Sequence, residues 1–400
     1  MTGLTTTWAL LDAGFEVVIV SESWAPALPR ITSQIAGALC VLHFFVGLFR
    51  IPDQILHRWE FPPAVCGAHT NTASLANSKR WAMMSYHIFS QLSAAANPLD
   101  HGIRMLLANF FFTGKIEDLP DQLSKMHEIA GAGVQAFRRD PHLIIEHVVS
   151  EDAGLVDAYQ HLAPVIDTDT YMIWLRNLVV EKGAKLQTGR ISGDLLNIEK
   201  ELLAAYGACA IVNATGLQAK ELAGDNSVFP LRGGLIRVVN DGTRFPRITE
   251  AMCVSHDDSK PEDDDFVFIL PRNDNVLLLG GLAQEGVWDL DLTISSPKMQ
   301  RIRSRCNDFI PGLANAELDS ETPFVQGLRP LTRTNVRVDR ESRARKDGRI
   351  TSKIVHSYGH GGSGFSLSFG CAADVLAIVQ QIVKEEQPLA VEAEIVMAKL

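Results

Sequence analysis

Leu4, Trp8 and Leu11 recur at helical spacing in GLTTTWALLDAGFEVVIVSES, and Gly14 stands where a left-handed residue closes a helix. Phe15 to Val20 then reads as a strand, apolar except at Glu16 and rich in valine. That is the pattern of a parallel strand covered on both faces, and Glu22 lies just past its end. CAIVNATGLQAKELAG (Cys209 to Gly224) reads as a buried strand, a small-residue turn and a helix. LAPVIDTDTYMIWLRNLVVEKGAKLQTGRI predicts a helix that Asp167 or Thr168 caps and Gly183 closes, then a strand to Ile191.

Between Leu231 and Pro330 the texture changes. GGLIRVVND, FVFILPR and NVLLLGGLAQ predict antiparallel strands, with RNDN (Arg272 to Asn275) as a hairpin turn. SSPKMQRIRSRCNDFI predicts a helix with a serine cap and Pro297 in its first turn. The acidic run Ser255 to Phe266 reads as a solvated loop, because its carboxylates lack a calcium-loop spacing. Near the C-terminus, IVHSYGHGGSGFSLSFGCAADVLAIV predicts a strand, a glycine turn and a long apolar helix. Gly359, Gly361, Gly362 and Gly364 fall within six residues of it, where a plain tight turn needs one or two.

The first helix and strand match the second half of a dinucleotide-binding βαβ unit, with Gly3 at the third glycine and Glu22 at the ribose-binding acid. On these residues alone, an ordinary α/β pair with a solvated Glu22 is an equal reading. The first strand and first two glycines of such a unit do not appear.

Length and charge narrow the class. A chain of 400 residues holds two or three domains or one large interleaved α/β body. A net charge of −10 without a basic stripe argues against nucleic acid and fits an enzyme of small molecules. The six cysteines are scattered and read as free thiols; neither they nor the acidic run suggests a metal site. The N-terminus does not read as a signal peptide. Ile35 to Phe49 is too short, and too polar at His43, to span a membrane. Ala398-Lys399-Leu400 differs by one small residue from a peroxisomal Ser-Lys-Leu address, so a peroxisomal location and import receptor are expected, with the cytoplasm otherwise.

Six segments in order over nearly the whole chain resemble the D-amino-acid oxidase family of FAD-dependent oxidoreductases. They are the N-terminal segment, AGAL…WEFPPAVCG, IVNATGLQAKELAG, FILPRNDNVLLLGG, GLRPLTR with VRVDRE, and YGHGGSGFSLSFGCA. The resemblance implies an α/β fold: a discontinuous Rossmann-like FAD-binding domain plus a substrate domain with a mostly antiparallel β-sheet. The FAD-binding segments would be 1–230 (with an insertion at 40–58) and 346–390, the substrate domain 231–345 with a lid at 255–265, and 391–400 a tail. It assigns Gly3, Glu22, Thr32, Ser33, Ala36, Gly37, Ile191, Thr215 and Gly216 to FAD, together with the turn Gly361, Gly362, Ser363, Gly364, Phe365 and Ser366. The turn has a physical case of its own. N–H groups at a helix N-terminus stabilise the negative charge that grows on a reduced isoalloxazine, and glycines let the ring approach.

The resemblance pairs Arg329 with a substrate α-carboxylate, which a planar guanidinium suits by making two charge-assisted hydrogen bonds. The Gly362 carbonyl would take the substrate ammonium. The implied reaction moves hydride from substrate Cα to flavin N5. The imine then hydrolyses to a keto acid and ammonia, and O2 returns the flavin to its oxidised form with hydrogen peroxide as product. Partners would be a D-amino acid and O2, with no nucleic acid or membrane; a homodimer stays open.

Three departures qualify this. The missing strand and glycines suggest a start upstream of Met1 and a truncated gene model. Cys40 to Arg58 reads as a short retained intron or as a real helix added near the flavin. Phe268 stands where well-known members carry a tyrosine whose hydroxyl touches the substrate carboxylate. With the aspartates of the lid, this leaves room for a basic or bulky D-amino acid. The competing reading is a non-catalytic chain that keeps the family core without holding FAD; an NAD-dependent dehydrogenase leaves the C-terminal glycine turn unexplained.

Overall fold

The computed structural model describes residues 1–27, 30–40, 47–51, 54–60, 65–69, 72–94, 101–254, 265–344 and 351–386, with backbone only for 47–72. The expected lid at 255–265, apart from Asp265, and the tail with Ala398-Lys399-Leu400 lie outside the described residues.

In chain order the labelled elements begin with α1 (Thr2–Asp12), β1 (Val18–Ser21), α2 (Thr32–Ile35), β2 (Gly47–Ile51), β3 (Gln54–Glu60), β4 (Val65–His69) and α3 (Thr72–Ser93). Next come β5 (Ile103–Phe112), α4 (Pro120–Gly131), β6 (Arg138–Arg139), β7 (Asp157–Ile166), α5 (Thr168–Glu181), β8 (Lys185–Thr188), α6 (Leu195–Tyr206) and β9 (Ile211–Asn213). The chain continues with β10 (Val228–Val239), β11 (Ala251–Val254), β12 (Asp265–Pro271), β13 (Val276–Leu282), β14 (Gln284–Glu285) and α7 (Pro297–Phe309). It finishes with β15 (Phe324–Thr332), β16 (Arg337–Arg340), β17 (Ile354–Tyr358) and α8 (Ser368–Glu386).

Nine strands form one large sheet in the order β14-β10-β13-β12-β11-β5-β7-β6, with β15 also beside β10. Its pairings are antiparallel except β11–β5, where Ala251 faces Ala108. The sheet therefore recruits strands between 103 and 166 as well as the segment from 231 onward. Alternation along β12 builds two cores. Phe268 and Leu270 face Trp81, Tyr159 and Leu235, while Ile269 packs with Met299, Ile302 and Phe309 of α7.

Two small sheets carry the other domain. β1 pairs with β8 in parallel. β9 pairs with β17 in parallel, and β16 flanks β17. α8 packs against α1 and α3. Gly14 (φ +86) and Gly183 (φ +104) adopt the left-handed conformations expected at the two helix ends. Asp167 caps α5, its carboxylate accepting from Asp169 N.

Some expectations need correction. The first strand is Val18–Ser21 rather than Phe15 to Val20, and it is not covered on both faces: Val18 is 39% exposed. Among the described residues it has a neighbour on one edge only, and Val18 to Ser21 line a cavity. Among the described residues β9 is likewise open on one edge, and it lines the same cavity. The helix expected within Cys40 to Arg58 is absent from the described part of that segment, whose backbone forms β2 and most of β3 in an antiparallel β2-β3-β4 meander. Ser296 precedes α7 as expected, but its hydroxyl accepts from Thr293 N (2.9 Å) instead of capping the helix.

Candidate active site

One cavity of about 1200 Å³ runs between the two small sheets and reaches the large one. It exceeds the roughly 300–1,000 Å³ of ordinary small-molecule pockets, as a dinucleotide requires. Gly3, Glu22, Thr32, Ser33, Ala36, Gly37, Ile191, Thr215, Gly216, Phe268 and Arg329 all line it. Gly361, Gly362, Gly364, Phe365 and Ser366 do as well. Ser363 does not: it is 1% exposed and faces away, its N–H donating to the His360 carbonyl at 2.9 Å.

The glycine turn leads from β17 into α8. Gly359 (φ +83) and Gly361 (φ +56) are left-handed, a conformation open to glycine at little cost. A Cβ on Gly364 would meet no protein atom within 4 Å, so the turn leaves open space beside the cavity. Gly361 N–H donates to the Pro330 carbonyl at 2.7 Å, which ties the turn to β15 one residue beyond Arg329.

Arg329 is the main electrostatic feature of this end. Its Nη1 donates to the Leu282 carbonyl (2.9 Å), and no carboxylate among the described residues pairs with it. Burial lowers its pKa to about 10, so it stays charged at neutral pH. Arg329 is half-buried, and a partly desolvated cation without a counter-ion is costly, a cost that an anionic ligand relieves. Gly233 makes room for it: a Cβ there would lie 2.5 Å from the guanidinium. Phe268 is completely buried, its ring against Gly37, where a Cβ would come within 2.8 Å.

At the other end, Glu22 forms an exposed pair with Arg190 (3.1 Å). On β9, Asn213 Oδ1 accepts from the Thr215 hydroxyl (2.7 Å), and its amide contacts His356 Nδ1 (3.2 Å). Glu341 Oε2 lies 3.2 Å from His356 Nε2. Burial pushes Glu341 up, but His356 and Arg343 hold its carboxyl below the usual range. Sequence reasoning missed this buried chain behind Thr215, because its members come from three separate strands and loops. It also missed Arg272, read only as the start of a hairpin turn.

Solved structures that share this fold include two glycine oxidases. Glycine oxidases of Geobacillus kaustophilus and Bacillus cereus superpose with TM-scores of 0.66 and 0.64 over 95% of this chain and 92% and 95% of theirs. Identities of 15% and 14% make this a likeness of fold. A family model described as FAD dependent oxidoreductase (DAO) matches residues 1–377, and the chain belongs to that family. A D-amino-acid oxidase of Streptomyces coelicolor is 31% identical over 301 residues, 75% of this chain and 78% of the relative. A D-amino-acid oxidase of Rubrobacter xylanophilus is 33% identical over 226 residues, 56% of this chain and about 60% of the relative's length.

FAD is the cofactor of this family, and the described residues fit it in cavity size and in the open space beside Gly364.

Proposed function

We propose that the chain oxidises D-amino acids, with FAD as hydride acceptor, giving an imino acid that water hydrolyses to a keto acid and ammonia, while O2 takes the two electrons back from the reduced cofactor and becomes hydrogen peroxide. The observation that carries this is Arg329, a cation without a carboxylate partner among the described residues, one residue from the strand position that anchors the glycine turn. Its guanidinium binds the substrate carboxylate and orients Cα. The Gly362 carbonyl accepts from the substrate amine. The Phe268 ring, lacking a hydroxyl, walls the site without adding a hydrogen bond, so Arg329 carries more of the carboxylate recognition. Bound FAD supplies the two-electron acceptor; the chain supplies orientation and charge. Gly361, Gly362, Gly364, Phe365 and Ser366 of the turn and the segments Thr32 to Gly37 and Thr215–Gly216 hold the cofactor.

The test is a panel of D- and L-amino acids and glycine, read by peroxide and keto-acid release from FAD-loaded protein, with Arg329→Met alongside. D-amino acids are expected to turn over, and Arg329→Met to lower kcat/KM roughly 100-fold, the loss of about 3 kcal/mol of charge-assisted hydrogen bonding. Turnover confined to L-amino acids or glycine, or a colourless protein that FAD does not bind, would sink the reading.

A further inference from the structure

β12 presents Phe268 and Leu270 on one face, and the next residue on that face is Arg272, just past the strand end. Arg272 is 1% exposed and among the largest fully buried side chains. Burying a guanidinium is expensive unless it is paired and hydrogen-bonded. Its nearest carboxylate oxygen, on Asp167, lies 3.8 Å from Nε, and Nε has no hydrogen-bond partner among the described residues. The terminal nitrogens instead donate to three main-chain carbonyls: Nη1 to Ala36 (2.9 Å) and Ile166 (3.3 Å), and Nη2 to Gln34 (2.9 Å). Burial lowers its pKa to about 10, which leaves it charged at neutral pH.

Two of those carbonyls, on Gln34 and Ala36, belong to the segment that lines the cavity at Ala36 and Gly37, and the third ends β7. A trans peptide points its N–H opposite to its C=O. Drawing the Ala36 carbonyl to Arg272 therefore turns the Gly37 N–H to the opposite side, away from the buried cation. That N–H has no acceptor among the described residues. The next residue, Ala38, has φ +38, a left-handed conformation that costs a side-chain-bearing residue about 1–2 kcal/mol. Its carbonyl accepts from Ile166 N at 3.1 Å. The segment is thus held in a strained shape from both ends, and strain of this kind persists where its surroundings over-determine it.

We propose that Arg272 is a positioning residue. It fixes the Ala36–Gly37 peptide so that the Gly37 N–H is presented to an acceptor atom of the flavin ring. Because Phe268 sits on the same strand face and packs on Gly37, β12 sets the cofactor segment and the substrate wall together. The inference rests on the proposed placement of the flavin at this end of the cavity.

The test uses FAD-loaded Arg272→Lys and Arg272→Met beside the unsubstituted protein. The readouts are the FAD dissociation constant from flavin fluorescence, the visible spectrum of bound flavin, and melting temperatures with and without FAD. A lysine ammonium keeps the charge but cannot hold both carbonyl planes, so Arg272→Lys is expected to weaken FAD about tenfold and to shift the flavin absorption band. Arg272→Met is expected to weaken it further, and in both the melting-temperature gain from FAD shrinks. A purely structural arginine would lower both melting temperatures equally and leave FAD affinity and spectrum unchanged; that result overturns the proposal. So does failure of both variants to fold with FAD present. If the unsubstituted protein binds no FAD, the cofactor placement itself falls, and that outcome is read from that protein alone.

Discussion

Arg329 and Arg272 show how the same side chain can do opposite work. Burial lowers both to about 10. Arg272 spends its terminal donors on three fixed carbonyls, whereas Arg329 makes a single bond to the described residues and faces a cavity. The resemblance of its GLRP segment to the family made Arg329 legible as an anion anchor. Nothing local marks Arg272, because the carbonyls it meets lie more than a hundred residues away in sequence. Histidines make a separate expectation. His360, beside the glycine turn, is 4% exposed, and burial, reinforced by the Met1 amine, lowers it to about 4; burial lowers His161 to about 4 as well. An unfolded histidine titrates near 6.5, so below that pH the unfolded chain binds protons that the folded chain refuses. The stability is complete above pH 6.5 and is lost as pH falls toward 4, by about 3 kcal/mol per group. Melting scans of FAD-saturated protein are expected to show that fall, and His360→Gln to lessen it; an unchanged pH profile in that variant would contradict the assignment.

Among elements, α3 and α8 meet most closely at Gly370. A Cβ there would lie 2.2 Å from Trp81 Cα and 2.5 Å from its Cβ, so the two backbones touch where no side chain fits. Trp81 Nε1 and Arg80 both donate to Asp374 one turn further along α8. Gly370→Ala must force the helices apart and is expected to cost about 1–3 kcal/mol, read as a lowered denaturant midpoint at unchanged slope. α8 also begins at the glycine turn, so FAD affinity should fall with it; a variant as stable as the parent would show that the crossing has slack. The helix ends at Gly14 and Gly183, the cap at Asp167 and the hairpin turn from Arg272 were readable because each is a local signal. The entry of β5 to β7 into the large sheet was not, since pairings such as Ala251 with Ala108 join residues far apart in sequence. The β2-β3-β4 meander was missed for another reason: an apolar run of that length fits a helix or a strand equally well.

At the scale of the whole molecule, the family, the FAD domain and the antiparallel sheet followed from six ordered segments, each weak alone. The ligand that joins these bodies should also stabilise them. A ligand at a hundred times its dissociation constant adds about 2.7 kcal/mol to the folded state. Among the described residues β1 and β9 each keep an open edge, which gives that number a second meaning. Each edge presents backbone N–H and C=O groups that accept an extended chain as readily as they line a cavity. Two such templates flank one opening, so the FAD-free protein is poised to zip onto other copies of itself. Light scattering of concentrated apoprotein is expected to rise with time and to be suppressed by saturating FAD. The cofactor would then act as a chaperone for its own binding site, and flavin supply would set how much of the protein stays in solution as well as how much is active.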